Sequence, residues 1–166
     1  MIVRDATSHD LPAILAIFND VIATSTAVYR DDPVALEERQ AWFEARKRAG
    51  YPVLVAEANG KVIGFSSFGE FRGAYSGYRH TVEHSVHVDK DARGTGAGTA
   101  LLEALFPLAA AMGKHVMIGA IDAANEGSRR FHARLGFAQT GLLPEVGFKF
   151  GRWLDLAFVQ KAILPP

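Results

Sequence analysis

Val86-His87-Val88-Asp89-Lys90-Asp91-Ala92-Arg93-Gly94-Thr95-Gly96-Ala97-Gly98-Thr99-Ala100-Leu101-Leu102 is the stretch of this 166-residue chain that says most about its architecture. A strand-like run ends, glycines recur at alternate positions, and Leu101, Leu105, Leu108 and Met112 then mark one face of a helix. Glycine has no Cβ, so backbone N–H groups can close on a ligand, and a helix N-terminus adds positive potential. The combination suits a phosphate. No Gly-Lys-Ser/Thr follows, which excludes a Walker A loop, and the dinucleotide pattern GxGxxG fails in both registers. Counted from Gly94 its third glycine would be Thr99, and counted from Gly96 it would be Leu101. Taken alone, the glycines fit either an anion cradle or a plain glycine-rich turn.

Upstream of this stretch, Thr81 to Val88 alternates as a strand, with Thr81, Glu83, Ser85 and His87 on one face and Val82, His84, Val86 and Val88 on the other. Gly69 to Gly77 reads as a loop. Val53–Ala56 and Val62–Phe68 are apolar runs joined through Asn59-Gly60, a strong hairpin signal. Nearer the N-terminus come a short strand at Ile2-Val3-Arg4 and a capping box from Thr7 to Asp10. A helix follows through Leu11, Ile14, Leu15, Phe18 and Ile22, and a second is expected to start at Asp32-Pro33 and stop at Gly50. Downstream, the helix from Gly96 to Met112 contains Pro107, where a kink is expected. Val116–Ile121 reads as a buried strand, Asn125–Leu135 as a helix, and Phe137–Leu143 and Trp153–Val159 as closing strands. With no repeat or linker, this order predicts one mixed α/β sheet in a single domain over 1–166.

Composition narrows the function. Eighteen basic and eighteen acidic residues leave a formal net charge of zero, without the cationic surplus that nucleic-acid binding calls for. The chain has no cysteine, which excludes disulfides, thiolate metal sites and a cysteine nucleophile. Met1 to Asp5 does not open like a signal peptide, and the longest near-apolar stretch, Ala104 to Met112, is about half a membrane span. The expectation is a cytoplasmic protein that binds neither nucleic acid nor membrane.

Arg93-x-x-Gly96-x-Gly98 opening a helix resembles the pyrophosphate loop of the GNAT acetyltransferases. Further stretches resemble the phosphinothricin and methionine sulfoximine/sulfone branch of that superfamily. They are Thr81-Val82-Glu83-His84-Ser85-Val86, Arg129 to Phe137 with His132, and Gly147-Phe148-Lys149-Phe150-Gly151-Arg152-Trp153-Leu154-Asp155. The resemblance covers nearly the whole chain. It implies the GNAT α/β fold, with a mixed, mostly antiparallel sheet flanked by helices, and acetyl-CoA as co-substrate. It also implies that the strand ending at Val88 is bulged and splays from the next strand, opening a slot for the thioester.

The same resemblance assigns residues. Arg93, Gly94, Thr95, Gly96, Ala97, Gly98 and Thr99 would hold the pyrophosphate, Val86, His87 and Val88 would pair with the pantetheine arm, and Asn125 would bond CoA. Ser128 joins Asn125 and His132 on one polar stripe of the helix. Glu83 is the candidate general base and His132 the group beside the sulfur; without the motifs they would read as an exposed acid and a surface or core histidine. Substrate contacts would come from Arg72, Gly73 and Ala74 and from Glu83, His84 and Ser85, with Arg72 suited to a carboxylate. Tyr29 could wall the pocket or belong to the core. His80 and His84 lie roughly 13 Å apart on a strand, too far for one ion, so no metal is expected.

The reaction expected is direct acetyl transfer to the amino group of a small amino-acid-like acceptor. Rival readings are a GNAT acting on a polyamine or protein N-terminus, a CoA-binding sensor, and a nucleotide-binding domain. By resemblance the chain is also expected to form a homodimer through Gly147 to Asp155.

Overall fold

The computed structural model describes residues 1–164; Pro165 and Pro166, the end of the expected domain, lie outside them. Seven strands form one sheet in the order β1-β2-β3-β4-β5-β7-β6. In chain order they are β1 (Ile2–Asp5), β2 (Val53–Ala58), β3 (Lys61–Glu70), β4 (Thr81–Val88), β5 (Val116–Asp122), β6 (Ala138–Lys149) and β7 (Arg152–Ala162). Every neighbouring pair is antiparallel except β4–β5. The helices are α1 (Leu11–Thr24), α2 (Leu36–Arg48), α3 (Ala97–Ala111) and α4 (Glu126–Arg134).

Two cores hold helices to the sheet. Leu101, Leu102, Leu105 and Ala109 of α3 bury against Phe68, Val82 and Met117 on one face. Leu11, Ile14 and Ile17 of α1 and Phe43 of α2 bury against Val53, Val55 and Phe65 on the other. The Asn59-Gly60 turn has positive φ at both residues, 51° and 73°, as the tightest hairpin turns require. Among the described residues, no helix is long and apolar enough to cross a membrane.

Several expectations need correction. The second helix starts at Leu36 with Ala35 as its N-cap, not at Asp32-Pro33. The Asn19 side chain explains the delay, since it accepts from Val34 N at 2.8 Å and donates to Val34 O at 3.0 Å. That clamp takes up the backbone groups of Val34 before a helical turn can use them. β6 and β7 are longer than the apolar runs suggested, because register shifts at Gln139/Gly141 and Leu143/Gly147 carry β6 past Pro144.

The most consequential feature is how β4 meets its neighbours. Against β3 it pairs in unbroken register from Gly64↔Val88 to Glu70↔Val82, so the bulge implied by resemblance is not there. Against β5 it pairs only over Thr81–Glu83 with Val116–Ile118. Beyond Glu83 the strands part: β4 stays with β3, whereas β5 stays with β7 as far as Asp122. The slot is therefore made by strand divergence without a bulge. Alternate backbone groups of Ser85 to Val88, facing away from β3, are left without a strand partner.

Candidate active site

The gap between β4 and β5 opens into a cleft of about 1160 Å³, more than the roughly 300–1,000 Å³ of a site for one small ligand. One end is the glycine loop. Gly94 and Gly96 have φ of +78° and +89°, and a Cβ at either would meet nothing within 4 Å. Glycine is needed there for backbone conformation, not for lack of space. Gly96 caps α3, so the N–H groups of Ala97, Gly98 and Thr99 open the helix with no preceding carbonyl to bond. Arg93, Gly94, Gly96, Ala97, Gly98 and Thr99 all line the cleft. Thr95 instead closes the loop on itself, donating from Oγ1 to Ala92 O at 2.7 Å.

The N-terminus of α4 faces the same cleft. Asn125 Oδ1 accepts from Ser128 N at 2.9 Å and caps the helix, so this side chain is committed through its oxygen. His132 is buried, and its Nδ1 lies 2.8 Å from Ser128 O. A carbonyl can only accept, so Nδ1 carries the proton and Nε2 presents a lone pair. That Nε2 is buried with no partner among the described residues. Burial holds the His132 pKa below its ordinary value, so the ring is neutral near pH 7.

The three histidines of the β4 region go to different places. His80 bonds Gly113 O at the surface. His84 stacks on His132 with ring centroids 5.1 Å apart and interplanar angle 26°, and burial pushes its pKa down to about 3. His87 points to the opposite face, against Phe18 and Phe65. The alternation read from the sequence thus holds along β4.

Glu83 sits where β4 and β5 separate. It is half-buried on a central strand, not exposed on an edge. Burial raises its pKa above the ordinary carboxylate value, opposed by the Arg46 charge. Glu83, His84, Ser85, Val86, His87 and Val88 line the cleft, together with Asn125, Ser128 and His132.

The loop carrying Arg72, Gly73 and Ala74 does not join them. Arg72 has φ of 51°, which turns its exposed guanidinium back over Tyr75 and Tyr78 at 5.6 and 5.3 Å. Of these residues only Gly73 borders a pocket, a small separate one beside Tyr51 and Lys114. Within one chain, Arg72 therefore does not reach the cleft.

The sequence reading missed part of the wall. Phe18, Arg39, Trp42, Phe65 and Asp122 all line the cleft. Tyr29, read as wall or core, is wall, with its OH donating to Asp155 O at 2.9 Å. Lys149 is buried and donates from Nζ to Ile22 O, Ser25 O and Val28 O at 2.6–2.8 Å. It ties the segment after α1 into place along the cleft. Amphipathic spacing could have flagged Arg39, since it lies on the same helix face as Phe43 and Leu36.

Comparison with known proteins agrees with this geometry. The acetyltransferase (GNAT) family matches residues 14–137. The chain is 52% identical over 164 residues to an L-methionine sulfoximine/L-methionine sulfone acetyltransferase of Pseudomonas paraeruginosa, covering 98% of this chain and 95% of that one. It is 49% identical to an L-amino acid N-acyltransferase of Escherichia coli, covering 96% and 92%. Among solved structures, a GNAT phosphinothricin acetyltransferase of Sinorhizobium meliloti in complex with acetyl-CoA superposes with a TM-score of 0.93. That pair is 38% identical over 97% of this chain and 87% of the other. This chain belongs to the GNAT acetyltransferase family and has its fold.

Proposed function

We propose that the chain transfers the acetyl group of acetyl-CoA to the α-amino group of a small amino-acid-like acceptor, of the methionine sulfoximine, methionine sulfone or phosphinothricin type. The observation that carries this reading is Glu83: a half-buried carboxylate of raised pKa at the point where β4 and β5 part. The names of the relatives support the acceptor class.

The residues fit the co-substrate. Helix-opening N–H groups at Ala97, Gly98 and Thr99 would take the pyrophosphate. Unpaired backbone of Val86, His87 and Val88 would bond the pantetheine amides as an added strand does. Acetyl-CoA supplies an activated acyl group as its thioester. A free α-amino group has a pKa of about 7.7–8.0, so only roughly a tenth is deprotonated at pH 7. Glu83 accepts the ammonium proton, directly or through water, and its raised pKa makes it a better base. A free N–H of Val86–Val88 would polarise the acyl carbonyl. His132, neutral with its Nε2 lone pair available, takes the second proton the amine sheds and returns it to the departing sulfur.

The chain is also proposed to act in the cytoplasm as a homodimer. Phe148, Phe150 and Trp153 project from the β6–β7 hairpin at 53–64% exposure, a patch suited to a second copy. Lys149, expected in that contact, is instead buried inward.

The test is a thiol-release screen of amino-acid analogues, polyamines and peptide N-termini with acetyl-CoA, with light scattering on the same preparation. Methionine sulfone, methionine sulfoximine or phosphinothricin should give the highest kcat/KM, and the mass should be that of a dimer. A polyamine or peptide outrunning all three would refute the acceptor class, and a monomer at micromolar concentration would refute the assembly.

A further inference from the structure

Lys149 ends β6 between two exposed aromatic residues, Phe148 and Phe150, yet is itself only 1% exposed. Alternation along the strand turns it inward, and the proton chemistry above leaves it unused. Its ammonium carries three protons and meets three backbone carbonyls, Ile22 O at 2.6 Å and Ser25 O and Val28 O at 2.8 Å each. A cation suits that place, because the last carbonyls of α1 carry partial negative charge. One side chain thus gathers the backbone from the last turn of α1 to Val28 around a single point.

What it holds is a strap, residues 25–30, laid across the gap between β4 and β5. Where the strap begins, α1 stands beside the end of β4: Asp20 pairs with Lys90 at 3.5 Å, just past Val88, and Phe18 packs on His87. Where it runs on, its anchors belong to the other half of the sheet. Thr26 Oγ1 donates to Asp122 at the end of β5, and Tyr29 OH donates to Asp155 O of β7 at 2.9 Å. The Tyr29 ring lies against Gly147 of β6, where a Cβ would overlap it. β4 and β5 pair only as far as Glu83, so the strap ties the two halves together at their open end. Ala27, Val28, Tyr29 and Arg30 line the cleft. They arrive with α1, on the face of the sheet opposite α3, and so bound the side away from the glycine loop.

We propose that Lys149 is a positioning residue for the acceptor side of the cleft: it clamps residues 25–30 across the mouth of the β4–β5 gap, so that this wall is set before an acceptor arrives. With the three carbonyls released, the strap samples other arrangements. An acceptor that needs the clamped one then binds more weakly, in proportion to the fraction that remains clamped. The acetyl-CoA side, built by α3 and α4, does not depend on the strap. The kinetic arm of the test rests on the acceptor class proposed above; the arm that follows the strap itself does not.

The chain has no cysteine, so Ala27→Cys carries a single nitroxide label at an exposed position of the strap. In this background, label mobility by electron paramagnetic resonance, kcat and KM with methionine sulfone, and calorimetric affinity for acetyl-CoA are measured with Lys149 intact, with Lys149→Met and with Thr26→Val. Lys149→Met keeps a long unbranched side chain but gives up all three bonds. It should free the label and raise the KM for methionine sulfone about 10- to 100-fold, with kcat and acetyl-CoA affinity nearly unchanged. Thr26→Val removes one tie and leaves the buried lysine in place. It should move label and KM the same way by less, and it decides the matter if Lys149→Met does not fold. A label as immobile in the variants as with Lys149 and Thr26 intact would overturn the proposal whatever the kinetics. So would a freed label with an unchanged KM, or a loss of acetyl-CoA affinity as large as the loss toward the acceptor. If the protein with Lys149 intact does not turn over methionine sulfone, the acceptor class fails, and label mobility with acetyl-CoA affinity still decides the strap.

Discussion

The two faces of β4 bury titratable groups in opposite ways. On the α1–α2 face, Glu83 and His87 lie in the field of two arginines, the half-buried Arg46 and the buried Arg39 respectively. On the α3–α4 face, His84 stacks on His132, and Phe137 closes on both rings with centroids 5.3–5.4 Å away. Burial penalises any charge, so the second face resolves the conflict by leaving both imidazoles neutral. The first face keeps the Arg39 charge, whose pKa falls only to about 10, while burial and then that charge push His87 down to about 4 and leave it neutral as well. What joins the faces is the divergence of β4 from β5 beyond Glu83, which lets both open on one gap. The contrast suggests a division of labour: the amine is activated from the charged face and the thiolate is served from the neutral one.

The largest effect that tests this division is expected from Glu83→Gln. It preserves shape but removes the base, so kcat should fall about 10²–10⁴-fold, with acetyl-CoA affinity by calorimetry nearly unchanged. Raising the pH should partly rescue the variant, because more amine then arrives deprotonated. The wild-type profile should show an acidic limb above the ordinary carboxylate pKa of 4.5, since burial raises Glu83 and only its ionised form accepts the proton. A variant with wild-type rate and profile would place the base elsewhere.

A smaller loss, about 10²-fold in kcat, the low end of the same range, should follow His132→Ala. If His132 mainly serves the departing sulfur, this defect should vary more steeply with the acidity of the leaving thiol than with that of the amine. Comparing acetyl thioesters of graded thiol pKa would show it; a defect that tracks amine pKa more steeply than thiol pKa would merge the two roles. The smallest effect is expected from Arg46→Met. Removing that positive charge takes away what opposes the rise in the Glu83 pKa, so the acidic limb should move to higher pH, by up to about one unit. Movement to lower pH, or none, would show that Arg46 does not act on Glu83.

How much of this was legible beforehand depends on whether the signal was local. The glycine loop, the Asn59-Gly60 turn and the alternation of β4 were readable because each is set by backbone sterics within a few residues. The direction of the Arg72 loop was not readable, because a guanidinium beside flexible glycines offers no clue to which way it folds; within one chain it turns back over Tyr75 and Tyr78. The late start of α2 escaped because the competing bonds come from Asn19, fifteen positions away.

By itself, then, the sequence determined the order of elements and the glycine loop at the start of α3, and it singled out Glu83 and His132 as the chemical candidates. These follow from periodicity, glycine positions and motif resemblance, all of which run along the chain. Only the tertiary structure decided that β4 and β5 separate after Glu83 and that, among the described residues, His132 is a neutral ring with its Nε2 lone pair unclaimed and Arg39 is buried in the cleft without a counter-ion. Each of these is a statement about what is missing beside a group — a strand partner, a hydrogen-bond donor, a carboxylate. Such absences are settled by packing between segments distant in sequence, which no local pattern encodes.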